Sequence, residues 1–312
     1  MKVGKKIFRA VFAVVFIAVA AAVGKVAFDA VYPKASDSVN EMADTERLGY
    51  ITSDEVWSGE IRVAGDIIVP KGVKLIIKPG TKVLVAANKD AGNLMTIPFW
   101  LKKGIAKERD QYIHQGEPYR DEENHVTIWI EGFLNATGTR DNKILIKSGS
   151  PEPTRYDWNT FHIESGVVSY AEIRDYRAMD LKTGANLTNS ELHNVGECPI
   201  CIHDSTDILI ENNWVHDSGH EVVDILRSSP TIINNRFGPS PRFKNPGGYK
   251  AGWGGIIVGS GFPTIKNNTI EGFDDAVSFF EKTSYDKLGE QVLMENAFRN
   301  NTENVVFNPN PD

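Results

Sequence analysis

The stretch IENNWVHDSGH, Ile210 to His220, joins two patterns. Its front half, Ile-Glu-Asn-Asn followed by a hydrophobic residue, returns three times downstream: INNRFGP from Ile233, IKNNTIEGF from Ile265 and MENAFRNN from Met294. Its back half places two histidines and an aspartate soon after the CPIC of Cys198–Cys201. The repetition comes first, because it sets which way the histidines point.

Stacked on their Asn-rich turns, the segments bring Ile173, Leu192, Val215, Phe237, Ile270 and Phe298 into one column, at intervals of 19, 23, 22, 33 and 28 residues. Short strands recurring at about 22 residues with polar turns are the mark of a β-solenoid, whose coils cannot bury their apolar faces alone. Upstream, EIRVAGDIIVPKGVKLIIKPGTKVLVA (Glu60–Ala86) alternates apolar and polar residues between Gly and Pro punctuation, as short strands do. About ten coils at about 4.8 Å each would form a rod of roughly 45–50 Å. Asn at one turn of successive coils would form a hydrogen-bonded ladder, which accounts for the Asn-Asn pairs without invoking function.

These segments, with IEGFLNATGTRDNKILIKSG (Ile130–Gly149) and a turn carrying Trp158, resemble right-handed parallel β-helix repeat proteins of the pectate-lyase-like superfamily. The resemblance spans about residues 51–312 and implies an all-β fold. It does not choose a function, because that superfamily includes polysaccharide lyases, glycoside hydrolases, epimerases, adhesins and catalytically silent surface proteins. Lyases of this kind use carboxylates to hold Ca²⁺ against a uronate while a basic residue removes the α-proton, so Ca²⁺ is the one cofactor the resemblance brings.

The N-terminus adds a helix to this fold. MKVGKKIFR is basic and Ala10–Val23 is continuously apolar, the pattern of a secretory signal peptide or a membrane anchor. Residues 1–34 are read as that segment, 35–50 as a linker or cap, and 51–312 as the β-helix. The chain beyond the segment is expected on the extracytoplasmic side, anchored or secreted. A formal net charge of -7, with no basic stripe, argues against a nucleic-acid partner.

Two insertions interrupt the coils, at about 88–124 and 238–255. In the first, Thr96 and Pro98 suit the start of a helix. The second carries Arg242, Phe243, Lys244, Tyr249 and Trp253, residue types that stack on sugar rings and meet carboxylates. The other reading of that loop is a lid whose aromatics form its own small core.

Strand alternation places Met179, Ile200, Val223, Ile256 and Val277 inward, with Leu181, Ile202, Ile225, Val258 and Phe279. Between them Asp180, Cys201 and Asp224 face outward on successive coils, flanked by Lys182 and His203. Asp180, Asp224, Lys182 and His203 are therefore the candidate catalytic residues. Two carboxylates two coils apart, about 9–10 Å, match the spacing of an inverting hydrolase. His193, Cys198, Cys201, His216 and His220, with His203, lie within 28 residues and invite a tetrahedral Zn²⁺ site. Stacked structural histidines and a Cys198–Cys201 disulfide are the other readings of that cluster.

The expectation is an exported, membrane-anchored β-helix that binds polysaccharide or cell-surface glycan. The alternatives are a polysaccharide lyase or glycoside hydrolase acting on an acidic polysaccharide, and a structural surface or adhesion rod without catalysis.

Overall fold

A computed structural model describes residues 40–43, 46–92, 125–240 and 254–309. The apolar N-terminal stretch, the helix expected at Thr96–Pro98 and the loop residues Arg242, Phe243, Lys244, Tyr249 and Trp253 lie outside the described residues. Among the described residues no helix is long and apolar enough to cross a membrane.

The described residues wind through ten turns, and the first nine add to all three parallel ladders. The first ladder is a nine-stranded sheet beginning with Asn40–Ala43 and Glu55–Ser58 and ending with Thr231–Ile233 and Thr264–Lys266. The second runs through Ile144–Ser148, Ala171–Arg174, Glu191–His193, Trp214–Val215, Arg236–Phe237, Thr269–Glu271 and Ala297–Arg299. The third runs through Ile128–Ile130, Trp158–Ile163, Tyr176–Leu181, Ile200–His203, Val223–Leu226, Gly254–Val258, Asp275–Phe279 and Glu303–Phe307. The segment read as a linker or cap contributes the first turn, with strand Glu46–Tyr50 pairing onto Glu60–Val69.

The column expected from the Asn turns is the observed register. Ile173 pairs with Leu192, Leu192 with Val215, Val215 with Phe237, Phe237 with Ile270 and Ile270 with Phe298. Ile173, Leu192, Val215, Phe237 and Ile270 are fully buried. Burying side chains of this size stabilises the fold by about 1.5–3 kcal/mol each. Trp158, expected in a turn, instead opens a strand and is buried against Tyr176, with ring centroids 5.2 Å apart. A large apolar ring gains more inside the coil than on a solvated corner.

The two residues of each Asn-Asn pair do different work. Asn212, Asn234 and Asn267 take positive φ (57°, 60° and 57°) and turn the chain from the first ladder to the second. Asn is among the few side chains that tolerate this region. Asn213, Asn235 and Asn268 point inward and form the ladder. Asn213 Nδ2 donates to Asn235 Oδ1, Asn235 Nδ2 to Asn268 Oδ1 and Asn268 Nδ2 to Asn296 Oδ1, each at 3.0 Å. At the next corner Gly238 (φ 87°) stands where a Cβ would fall 2.1 Å from the Glu271 carbonyl oxygen.

The last turn departs from the repeat. Helix α1, Lys282–Glu295, precedes its second-ladder strand in place of a first-ladder strand. Tyr285, Leu288 and Val292 recur at helical spacing and pack on the core. Asn296 ends the helix by donating to Val292 O and Ile265 O, joining it to the ladder.

Candidate functional site

The third ladder carries the site on its outer face. Asp180 pairs in register with Cys201, and Cys201 with Asp224, as strand alternation predicts. The column continues one turn earlier to His162, which pairs with Asp180, and then to Trp129. Reading the sequence alone misses His162 and Glu164. Their signal lies in FHIES, which aligns with AMDLKTG once the register is carried back one turn.

His162 is the centre of the strip. It is 4% exposed, with Nδ1 2.7 Å from Asp180 Oδ2 and Nε2 2.9 Å from Glu164 Oε1. Burial disfavours its protonation, but the two carboxylates outweigh that and raise its pKa above 6.5. Asp180 answers in the opposite direction. Burial pushes its carboxyl up, and the hydrogen bond from His162 with the charges of His162 and Lys182 brings it below its usual value. Lys182 Nζ is 3.0 Å from Asp180 Oδ1 and 3.3 Å from the His203 carbonyl oxygen. Glu164 is lowered by its hydrogen bond to His162, against burial.

His203 Nε2 lies 2.8 Å from Asp224 Oδ2. Burial works against the charged ring, and Asp224 more than compensates, so its pKa is raised. The four expected catalytic residues therefore form two charge pairs, Asp180–Lys182 and His203–Asp224, spread over three successive turns.

This arrangement does not suit Ca²⁺. Both Asp180 oxygens face cationic partners and Asp224 is engaged by His203. Among the described residues no group of three or more His, Cys, Asp or Glu side chains is placed to hold a metal ion. Asp180 is also poorly suited to act as the proton-donating acid of a hydrolase, since its neighbours keep it ionised.

The Cys/His cluster is divided between faces. His193 and His216 belong to the second ladder, where their rings stack in parallel with centroids 5.2 Å apart. Trp214 stacks on His216 at 4.0 Å, and the Arg236 guanidinium sits 5.0 Å from the Trp214 ring centroid. His193 and His216 each contact a carboxylate at 3.4 Å, Glu172 and Glu191 respectively. Cys201 is on the third ladder, Cys198 is buried in the turn before it, and His220 contacts the Glu221 carboxylate at a corner. The five do not converge on one point, because the two ladders present their outer faces in different directions. Both cysteines are free.

Both insertions fall in the same segment of the coil path. The first separates Lys82–Val85 of the second ladder from Ile128–Ile130 of the third, and the second separates Arg236–Phe237 from Gly254–Val258. They lie in the third and eighth turns, and the strip from His162 to Asp224 fills the four turns between. Five steps of about 4.8 Å separate the turns they interrupt, about 24 Å along the coil axis.

Comparison with known proteins agrees with the architecture. Residues 178–310 match the family described as right handed beta helix region. No curated protein and no solved structure matches the chain. With three parallel ladders and that match, the chain is a right-handed parallel β-helix repeat protein.

Proposed function

We propose that this β-helix is an extracytoplasmic, membrane-anchored protein that binds polysaccharide at the cell surface along the third-ladder strip. The observation that carries the reading is the placement of Glu164, Lys182, His203 and Asp224 on four successive turns between the two insertions. A linear polymer laid along the coil axis would meet a charged or polar side chain about every 4.8 Å. Lys182 and protonated His203 would hold carboxylates, and Arg242, Phe243, Lys244, Tyr249 and Trp253 would extend the contact from the second insertion. The basic and apolar N-terminus supports the anchor. The test is retention of the full chain, in mild detergent, on a panel of immobilised acidic and neutral polysaccharides. Retention lost in Lys182→Gln and His203→Gln supports the site. Wild-type protein that passes every column unretarded sinks the reading and leaves a structural rod.

The His203–Asp224 pair favours catalysis as a second reading, because a carboxylate-oriented imidazole is suited in form and position to accept a proton. The reaction would be β-elimination on an acidic polysaccharide. His203 takes the proton next to the uronate carboxylate, the electron pair left behind forms the carbon–carbon double bond, the carbon–oxygen bond to the leaving sugar breaks, and that oxygen leaves with its own electron pair and gains a proton from solvent. Lys182 would neutralise the uronate in place of a metal. Absorbance of unsaturated uronate, present with wild type and lost in His203→Gln, is the measurement. Retention without that absorbance leaves binding alone.

A further inference from the structure

The two cysteines are the only ones in the 312-residue chain, so any intramolecular disulfide must join them. Cys201 lies half-buried in the outward column between Asp180 and Asp224. Cys198 is 4% exposed, in the turn that feeds the same strand. The Cys201 thiol is turned back along the chain, with Sγ 3.6 Å from the Cys198 carbonyl oxygen. Pro199 between them limits the backbone freedom of the short loop that a disulfide would close.

We propose that Cys198 and Cys201 are a reversible dithiol–disulfide couple built into the strip, independent of what the strip binds. The oxidant is a low-molecular-weight disulfide. The more exposed Cys201, as thiolate, attacks one sulfur of that disulfide, breaking its S–S bond and releasing one small thiol after protonation. Cys198, deprotonated in turn, attacks the Cys201 sulfur of the mixed disulfide. The protein S–S bond forms, a second small thiol leaves, and the oxidant has taken up two electrons. Cys201 is the entry thiol because its residue is the more exposed of the two, and Cys198 is the resolving thiol because it is adjacent and shielded. The contact with Cys198 lowers the Cys201 thiol, but burial and then the charges of Asp224, Asp180 and Glu197 outweigh it and raise the thiol above its ordinary value. The first step should therefore quicken about tenfold per pH unit through neutrality, following the thiolate fraction.

The experiment takes the reduced full-length protein through a graded series of oxidised and reduced glutathione, with alkylation under denaturing conditions and peptide mapping by mass spectrometry. The expected result is loss of both thiols together and a linked Cys198–Cys201 peptide. Cys198→Ser should accumulate glutathione on Cys201 at least about tenfold above wild type, since no resolving thiol remains. Three results would overturn the proposal: wild type that stops at the mixed disulfide, disulfide-linked dimers, or both thiols still free throughout. Each is read on wild type, so none depends on the folding of a variant.

Discussion

His162 bridges two carboxylates from two turns, with Nδ1 2.7 Å from Asp180 Oδ2 and Nε2 2.9 Å from Glu164 Oε1. Both ring nitrogens face acceptors, so the imidazolium, which donates at both, is the form the site favours. A buried charge of this kind is stable only while its partners hold it.

The pH dependence of stability follows from these pairs. His162 and His203 have pKa values raised above 6.5, so their contribution is complete below 6.5 and is lost as pH rises through the folded values. Glu164 and Asp180 are lowered from 4.5 and 3.8, so theirs is present above those values and is lost as pH falls through the folded ones. Together the pairs contribute most between 4.5 and 6.5. Urea midpoints measured across pH should peak there. His162→Asn should lower stability by about 2 kcal/mol at the peak and flatten the alkaline limb. Parallel curves for the two proteins would show that the bridge is not formed.

The second-ladder histidines should titrate the other way. Burial lowers His216, the charge of His193 adds to that, and Glu191 opposes it without prevailing. Proton NMR titration should place His162 and His203 above 6.5 and His216 below it. A common midpoint for all three would contradict the described surroundings.

The two halves of an Asn-Asn pair should respond differently to mutation. Asn235 donates to Asn268 Oδ1 and Ile210 O, and accepts from Asn213 N and Nδ2, all within 3.0 Å. Asn235→Leu would leave several buried groups unpaired, at a cost of about 3–5 kcal/mol. Asn234→Gly keeps a residue suited to positive φ and should stay within about 0.5 kcal/mol of wild type. Thermal unfolding of the two variants is the check, and equal losses would remove the distinction.

On the proposed ligand, charge should matter only along the strip. Lys182→Gln or His203→Gln removes one charge-assisted contact and should weaken retention about tenfold, which corresponds to about 1.4 kcal/mol. Lys266→Gln removes an exposed charge on the first ladder and should leave retention unchanged. If all three act alike, binding depends on net charge alone.

Much of the register is legible in the amino-acid sequence. The Cys201–Asp224 step of the column follows from an alternation of two residues counted from the Asn189 and Asn212 corners, and Asp180 joins it by the same alternation within its own strand. That count is reliable because each corner requires a residue that accepts positive φ, which pins the phase of the next strand. The pairing of His162 with Asp180 is harder to see, because the preceding corner is Tyr170-Ala171, with Tyr170 at φ 49°, and carries no Asn pair. Helix α1 is hidden for a related reason. Its 28-residue interval fits the repeat, although Tyr285, Leu288 and Val292 already show helical spacing.

The sequence by itself determined the coil: inward apolar columns, corner residues and a ladder of amides, all encoded within windows of about 22 residues. Only the tertiary structure decided what those coils bring together. It separated His193 and His216 from the cysteines, joined His162 to carboxylates on two turns, and put both insertions in the same segment of the coil, on either side of the strip. Those relations depend on the corner angles and on the offset between stacked turns. Such quantities are set by packing of the whole core, and no single repeat contains them.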